Sequence, residues 1–239
     1  MPVTTIFLDL YQTLVYFHPA REYRQAMALK EFGLEVDPAA LSRGYLAADH
    51  YYTLAGMEKP IHLLSRLERD RVYLRYQQVM MEEAGLGHAL HLAEEIRRRY
   101  WEQKRELRLF PEVKEVLSGL KGAGYQLGLI TNVADDPAPD LERLGLRQML
   151  DVVAASCLVG AEKPDPRIFR AALSDAGIAP GQGVHVGDQF LADVEGARSV
   201  GMKAVLLDRH GLQPGRHSPS IRSLEELVPL LQDGLRNQD

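Results

Sequence analysis

Short apolar runs that each end in a polar side chain, separated by stretches with helical spacing, recur along this chain. Thr4-Thr5-Ile6-Phe7-Leu8 ends at Asp9, Tyr125-Gln126-Leu127-Gly128-Leu129-Ile130 at Thr131-Asn132, and Gly183-Val184-His185-Val186-Gly187 at Asp188. A run that is apolar on both faces suits a strand buried inside a parallel sheet, and parallel strands need long, usually helical, crossovers. Asp151-Val152-Val153-Ala154-Ala155 and the run 202–207 read as two more such strands, with Lys163 in the loop after the former. The expected fold is therefore α/β, a doubly wound parallel sheet. Such sheets place their chemistry just beyond the carboxyl ends of the strands, which makes the terminal polar residues the candidates for function.

The connecting segments carry helix signals. Val113, Val116, Leu117 and Leu120 mark a helix that starts near Pro111 and stops at Gly122 or Gly124. Asp165 is placed to cap a helix whose first residue is Pro166 and whose inward face is Ile168, Phe169, Ala172, Leu173 and Ala176. A further helix through Val194 and Ala197 ends at Gly201, and Ser223-Leu224-Glu225-Glu226 has the spacing of a capping box, with Pro229 limiting the helix that follows.

Between residues 15 and 108 strand-like alternation is almost absent. Leu92, Ile96 and Tyr100 form one helical stripe and Val72, Tyr76, Val79 and Met80 another. Gly33, Asp37-Pro38, the segment 56–60 and Gly85/Gly87 interrupt the pattern where antiparallel helices would turn. We expect four or five helices here, inserted as a unit (15–108) into a core made of 1–14 and 109–239.

With 239 residues, 46% of them apolar, the chain can bury one large or two modest cores. A net charge of −5 argues against nucleic acid as the partner, since backbone phosphates call for a clustered positive surface. The arginines at 97–99 alternate with glutamates along a helix, as a solvated face does. One cysteine, Cys157, rules out an intramolecular disulfide framework, and the N-terminus leads directly into a strand. No apolar run approaches the roughly 18 residues of a membrane span. These features lead us to expect a cytoplasmic protein with a small-molecule substrate, while the oligomeric state is not legible.

At one rim of such a sheet stand Asp9, Thr131, Asn132, Lys163, Asp188 and, five residues further on, Asp193. Each alone reads as a turn former, a helix cap or a solvated lysine. Together they suit a different role. Three carboxylates at one place repel one another unless a cation lies between them, and carboxylate with backbone oxygen is the ligand set that Mg²⁺ prefers. Such an ion and Lys163 would compensate a bound phosphoryl group, Thr131 and Asn132 would donate to its oxygens, and Asp9 would be free to attack phosphorus, forming an aspartyl-phosphate.

In four segments the chain resembles the haloacid dehalogenase-like hydrolases: Asp9-Leu10-Tyr11-Gln12-Thr13-Leu14, Leu129-Ile130-Thr131-Asn132, Lys163-Pro164-Asp165-Pro166, and Gly187-Asp188 with Asp193. Gly33-Leu34-Glu35-Val36, Lys163 through Phe169 and His185 through Asp188 are most similar to the domain-containing 3 group of that family. The resemblance implies a Rossmann-like core with a helical cap inserted after the first strand, and the strand order third, second, first, fourth, fifth. It also implies Asp9 as nucleophile, Thr131 and Lys163 on the phosphoryl oxygens, and Mg²⁺ on Asp9, Asp188 and the backbone carbonyl of Tyr11, with Asp193 assisting.

Tyr11 departs from the pattern. Phosphatases of the family usually carry there the aspartate that protonates the leaving group and then activates water. A tyrosine with its ordinary pKa near 10 is a poor base at neutral pH, and general acid–base help is worth roughly 10² to 10⁴ in rate. The resemblance therefore implies a phosphatase that is slow, or selective for good leaving groups. The family's 2-haloacid dehalogenases carry tyrosine at this place and use no metal, so metal-free dehalogenation through Asp9 is the alternative, with Arg43 as a candidate for the substrate carboxylate. Gly187-Asp188 opposes it, because an extra carboxylate beside Asp9 hinders attack on an anionic haloacid. A third reading, a binding module with little catalysis, leaves the polar rim without a purpose.

Overall fold

The computed structural model describes residues 2–233, and within them the chain divides into two compact units, one comprising the chain up to Tyr16 and from Arg108 onward, the other Phe17–Leu107.

The first unit is built on six parallel strands. Strand β1 (Thr5–Leu8) is buried along its whole length, as its unbroken apolar run requires of a central strand. The chain then makes a tight turn and enters β2 (Val15–His18), which pairs with β3 (Glu106–Leu109) in a separate two-stranded sheet. Helix α5 (Val113–Gly122) buries Val113, Val116, Leu117 and Leu120, the stripe its sequence shows. Strand β4 (Gln126–Thr131), α6 (Ala138–Leu144), β5 (Val152–Ala155), the single turn α7 (Ser156–Val159) and α8 (Pro166–Ala176) follow. After β6 (Gly183–Gly187) comes a π-helical segment, Phe190–Glu195, that runs into α9 (Gly196–Ser199). Then come β7 (Lys203–Leu207), β8 (Ser220–Ile221) and α10 (Leu227–Gln232).

The strand order is β5-β4-β1-β6-β7-β8, so the first five stand in the expected order and β8 adds a short edge. In register, Leu8 faces Leu129 of β4 and Val186 of β6, which brings the carboxyl ends of the three central strands level. Phe7, Ile130, Ala154, Ile168, Phe169, Ala172, Val194 and Leu206 form one core on a face of the sheet. Gly128 is needed there: a Cβ would lie 2.4 Å from the Phe7 ring.

In the second unit α1 (Arg21–Lys30), α2 (Pro38–Glu58), α3 (Arg66–Glu83) and α4 (Ala93–Glu102) enclose their own core of Ala28, Leu29, Leu41, Tyr45, Met80, Met81 and Ile96. Ser65 and Glu68 form a reciprocal capping box at the start of α3. Gly44 of α2 lets that helix lie directly on α3, since a Cβ would come within 2.5 Å of the Met80 carbonyl oxygen.

Three expectations need correction. The region 15–108 begins and ends in strands; four residues apiece, partly exposed, are too short for alternation to stand out. Helix α2 continues through Gly56 to Glu58, the glycine being tolerated inside a long helix at a cost of about 1 kcal/mol relative to alanine. The segment carrying Val194 begins as π-helix rather than α-helix.

Candidate active site

The carboxyl ends of β1, β4 and β6, with the loops that follow them, bring together most of the residues singled out above. Asp9 extends the β1 ladder, its amide donating to the Val186 carbonyl at 2.9 Å. Lys163, in the loop before α8, is buried, and its ammonium reaches Asp9 Oδ1 and Asp193 Oδ1 at 2.6 Å each. Asp193, within the π-helical segment, also accepts from His185 Nε2 at 2.9 Å and, on its second oxygen, from the Gln189 amide at 2.9 Å. The wide π turn sets this carboxylate against the end of β6, and Gly187 is what allows the approach: a Cβ there would lie 2.2 Å from Asp193 Cγ.

The electrostatics follow from burial and these contacts. Burial raises the Asp9 carboxyl to about 6, with Lys163 opposing and Asp193 adding to the rise. Asp193 is buried too, but Lys163 and His185 outweigh that and hold it well below the usual carboxylate range. Burial alone would lower Lys163; the two aspartates reverse this and keep it charged. Burial lowers His185, so the ring is neutral and Nε2 carries the proton it donates to Asp193. Asp193 is the charge that fixes Lys163, and Asp9 is the carboxylate left closest to a neutral form.

Asn132 joins the site through the backbone of Lys163. Its Nδ2 donates to the Lys163 carbonyl at 2.9 Å and its Oδ1 accepts from the Lys163 amide at 2.7 Å, so each end of the amide makes one bond that fixes the lysine's backbone. Thr131 ends β4 with a fully buried hydroxyl that has no hydrogen-bond partner among the described residues. Such a group is uncommon in a native fold and suits a site that receives a ligand oxygen. Asp188, after β6, is only partly buried. Tyr11 lies half-buried in the turn after β1, where its backbone bridges to Val15.

Asp9, Asp188 and Asp193 each offer a carboxylate oxygen within 4.8 Å of the others. Hard oxygen donors so close together fit a small divalent cation such as Mg²⁺. A cation here would be held chiefly by Asp9 and Asp188, because both Asp193 oxygens already accept hydrogen bonds.

Two residues around this rim carry no signal in the sequence. Arg209, after β7, donates to the Gln12 and Thr13 carbonyls at 3.1 and 2.8 Å, and the Gln213 side chain donates to the Asp188 carbonyl at 2.9 Å. Both act on backbone oxygens, which no residue pattern marks.

Over 161 residues, 64% of this chain and 60% of the other, the sequence is 38% identical to a phosphoserine phosphatase of Thermus thermophilus. It is 32% identical to the human haloacid dehalogenase-like hydrolase domain-containing protein 3, over 83% of this chain and 79% of that one. A 2-haloacid dehalogenase from Pseudomonas syringae superposes with a TM-score of 0.58 at 25% identity, covering 97% of this chain and 99% of its own. Residues 3–201, which include Asp9, Thr131, Lys163, Asp188 and Asp193, match the family model "haloacid dehalogenase-like hydrolase", and the chain belongs to that family of hydrolases.

Proposed function

We propose that the protein is a Mg²⁺-dependent phosphatase of small phosphorylated metabolites, acting through an aspartyl-phosphate on Asp9. The observation that carries this reading is the buried Lys163 ammonium shared between Asp9 and Asp193 at 2.6 Å beside a third carboxylate, Asp188. A charged lysine and a cation-fitting carboxylate set flank one nucleophile, as binding a dianion next to a carboxylate requires. The dehalogenase reading has less support, since a haloacid brings one negative charge and no need for a cation.

In the proposed reaction an Asp9 oxygen forms a bond to phosphorus while the bond from phosphorus to the leaving oxygen breaks, and that oxygen departs with its electron pair. Water then attacks phosphorus, the Asp9 carboxylate is released, and inorganic phosphate leaves. Lys163 neutralises the phosphoryl oxygens while Asp193, itself bonded by His185, keeps it charged and in place; Thr131 supplies its unpartnered hydroxyl as a donor. Asn132 fixes the backbone that carries Lys163. Mg²⁺ held by Asp9, Asp188 and the Tyr11 carbonyl would add positive charge at the phosphoryl group.

No carboxylate follows Asp9 at the second position, so the leaving oxygen receives little help with its proton. Aryl and acyl phosphates should therefore be hydrolysed much faster than alkyl phosphates. The test is a panel of p-nitrophenyl phosphate, acetyl phosphate, glycerol phosphate and 2-chloropropionate, each with Mg²⁺ and with chelator, on native protein and on Asp9→Asn. Phosphate release that needs both Mg²⁺ and Asp9 is expected. Chloride release that survives chelation would overturn the reading in favour of dehalogenation.

A further inference from the structure

The loop after β7 holds the backbone on either side of the nucleophile's site. Arg209 donates through Nε to the Gln12 carbonyl and through Nη2 to the Thr13 carbonyl, at 3.1 and 2.8 Å. Its remaining nitrogen, Nη1, lies 2.7 Å from Glu112 Oε1, and the guanidinium sits 3.7 Å over the Phe110 ring. Arginine and glutamate side chains are only 12% and 11% exposed, so the pair is shielded from competing water. The loop that presents Arg209 is itself braced: Asp208 accepts from the Leu212 and Gln213 amides at 2.9 and 2.8 Å, and Gln213 reaches the Asp188 carbonyl.

The turn so gripped carries a strained residue. Gln12 has φ 60°, the only non-glycine in the left-handed region among the described residues. A side-chain-bearing residue there is strained and persists only where its surroundings over-determine it. Within the turn, Gln12 N bonds the Val15 carbonyl while Leu14 N and Val15 N share the Leu10 carbonyl. Arg209 takes the Gln12 and Thr13 carbonyls, neither of which accepts a bond within this pattern.

We propose that Arg209 and Gln213 are positioning residues, a clamp through which one loop fixes the backbone after Asp9 and the backbone at Asp188 in a single geometry. The inference rests on the phosphatase reading for its catalytic consequence, but not for its structural one. Arginine is suited to the task because its planar fork spans two carbonyls and still meets Glu112; a lysine in its place keeps the charge beside Glu112 and loses the fork.

Hydrogen exchange at the amides of residues 10–15, together with steady-state kinetics on p-nitrophenyl phosphate, tests this on native protein, Arg209→Lys and Gln213→Leu. For Arg209→Lys we expect faster exchange confined to 10–15 and kcat reduced about 10- to 100-fold with KM within about threefold, a 1 Å misplacement being able to cost about 10²-fold. Adding methylguanidinium to Arg209→Ala should restore part of the lost rate. Gln213→Leu should instead weaken Mg²⁺ binding several-fold in calorimetry. Unchanged exchange at 10–15, or a drop in melting temperature with kcat per folded molecule unaltered, would overturn the clamp. If native protein proved inactive on every phosphate, the phosphatase reading would fail while exchange still decided the clamp.

Discussion

Asp9 and Tyr11, two residues apart on one turn, receive opposite treatment from the fold. Asp9 is buried against Lys163 and held at the end of a three-strand register, whereas Tyr11 is half-buried and brings no carboxylate to the place where a leaving group would take its proton. The account predicts that Tyr11→Asp raises turnover of glycerol phosphate by about 10²-fold while leaving p-nitrophenyl phosphate within a few-fold of native, as general acid–base catalysis would give. Equal effects on both substrates would show that proton transfer is not what the native site lacks. At this scale much was legible in sequence: Asp9, Thr131, Lys163 and Asp188 stand at strand ends or in the loops beyond them, and Asp193 in the π-helical segment that follows β6. Asn132 was legible as a position, but its bonds to the Lys163 backbone were not, because carbonyl and amide partners leave no mark in a sequence. Arg209 and Gln213 were invisible, since their partners are carbonyl oxygens that every residue possesses.

The elements divide according to how strongly burial marks them. Strands β1, β4 and β6 are buried on both faces and declare themselves as unbroken apolar runs, and α5 and α8 bury the stripes their spacing shows. Strands β2 and β3 are short and half-exposed, β8 has two residues, and the π-helical turn at Phe190–Glu195 has no periodicity of its own to display. Between elements, Asp151 ties the entry of β5 to β4: its carboxylate accepts from the Leu127 amide at 2.9 Å and from Lys121 Nζ at 2.8 Å. These bonds, the backbone one foremost, lower its pKa below the usual carboxylate value. A folded-state pKa below the unfolded one contributes stability that is present above the unfolded value, near 3.9, and is lost as pH falls through the folded one. Asp151→Asn should therefore be less stable than native in urea at pH 7, with the gap closing as the pH is taken below about 4. A gap that stayed constant across that range would mean the carboxylate's charge contributes nothing.

At the scale of the whole molecule, two units each enclose a core, and every residue of the proposed chemistry lies in the first. No described helix is long and apolar enough to cross a membrane. The helical character of the inserted region could be read from its stripes, as could the order of the central strands once the family resemblance was drawn; which side chains of the second unit pack together could not, because helical phase alone does not fix the partners of a stripe. The central claim, that Asp9 becomes covalently phosphorylated, has a direct measurement. Protein is mixed with acetyl phosphate and Mg²⁺, quenched, reduced with borohydride and digested, and the peptide bearing residue 9 is read by mass spectrometry. The account predicts reduction of Asp9 to homoserine with Mg²⁺ present, and none with chelator or in Asp9→Asn. Turnover of acetyl phosphate with Asp9 never modified, or modification at another carboxylate, would contradict it.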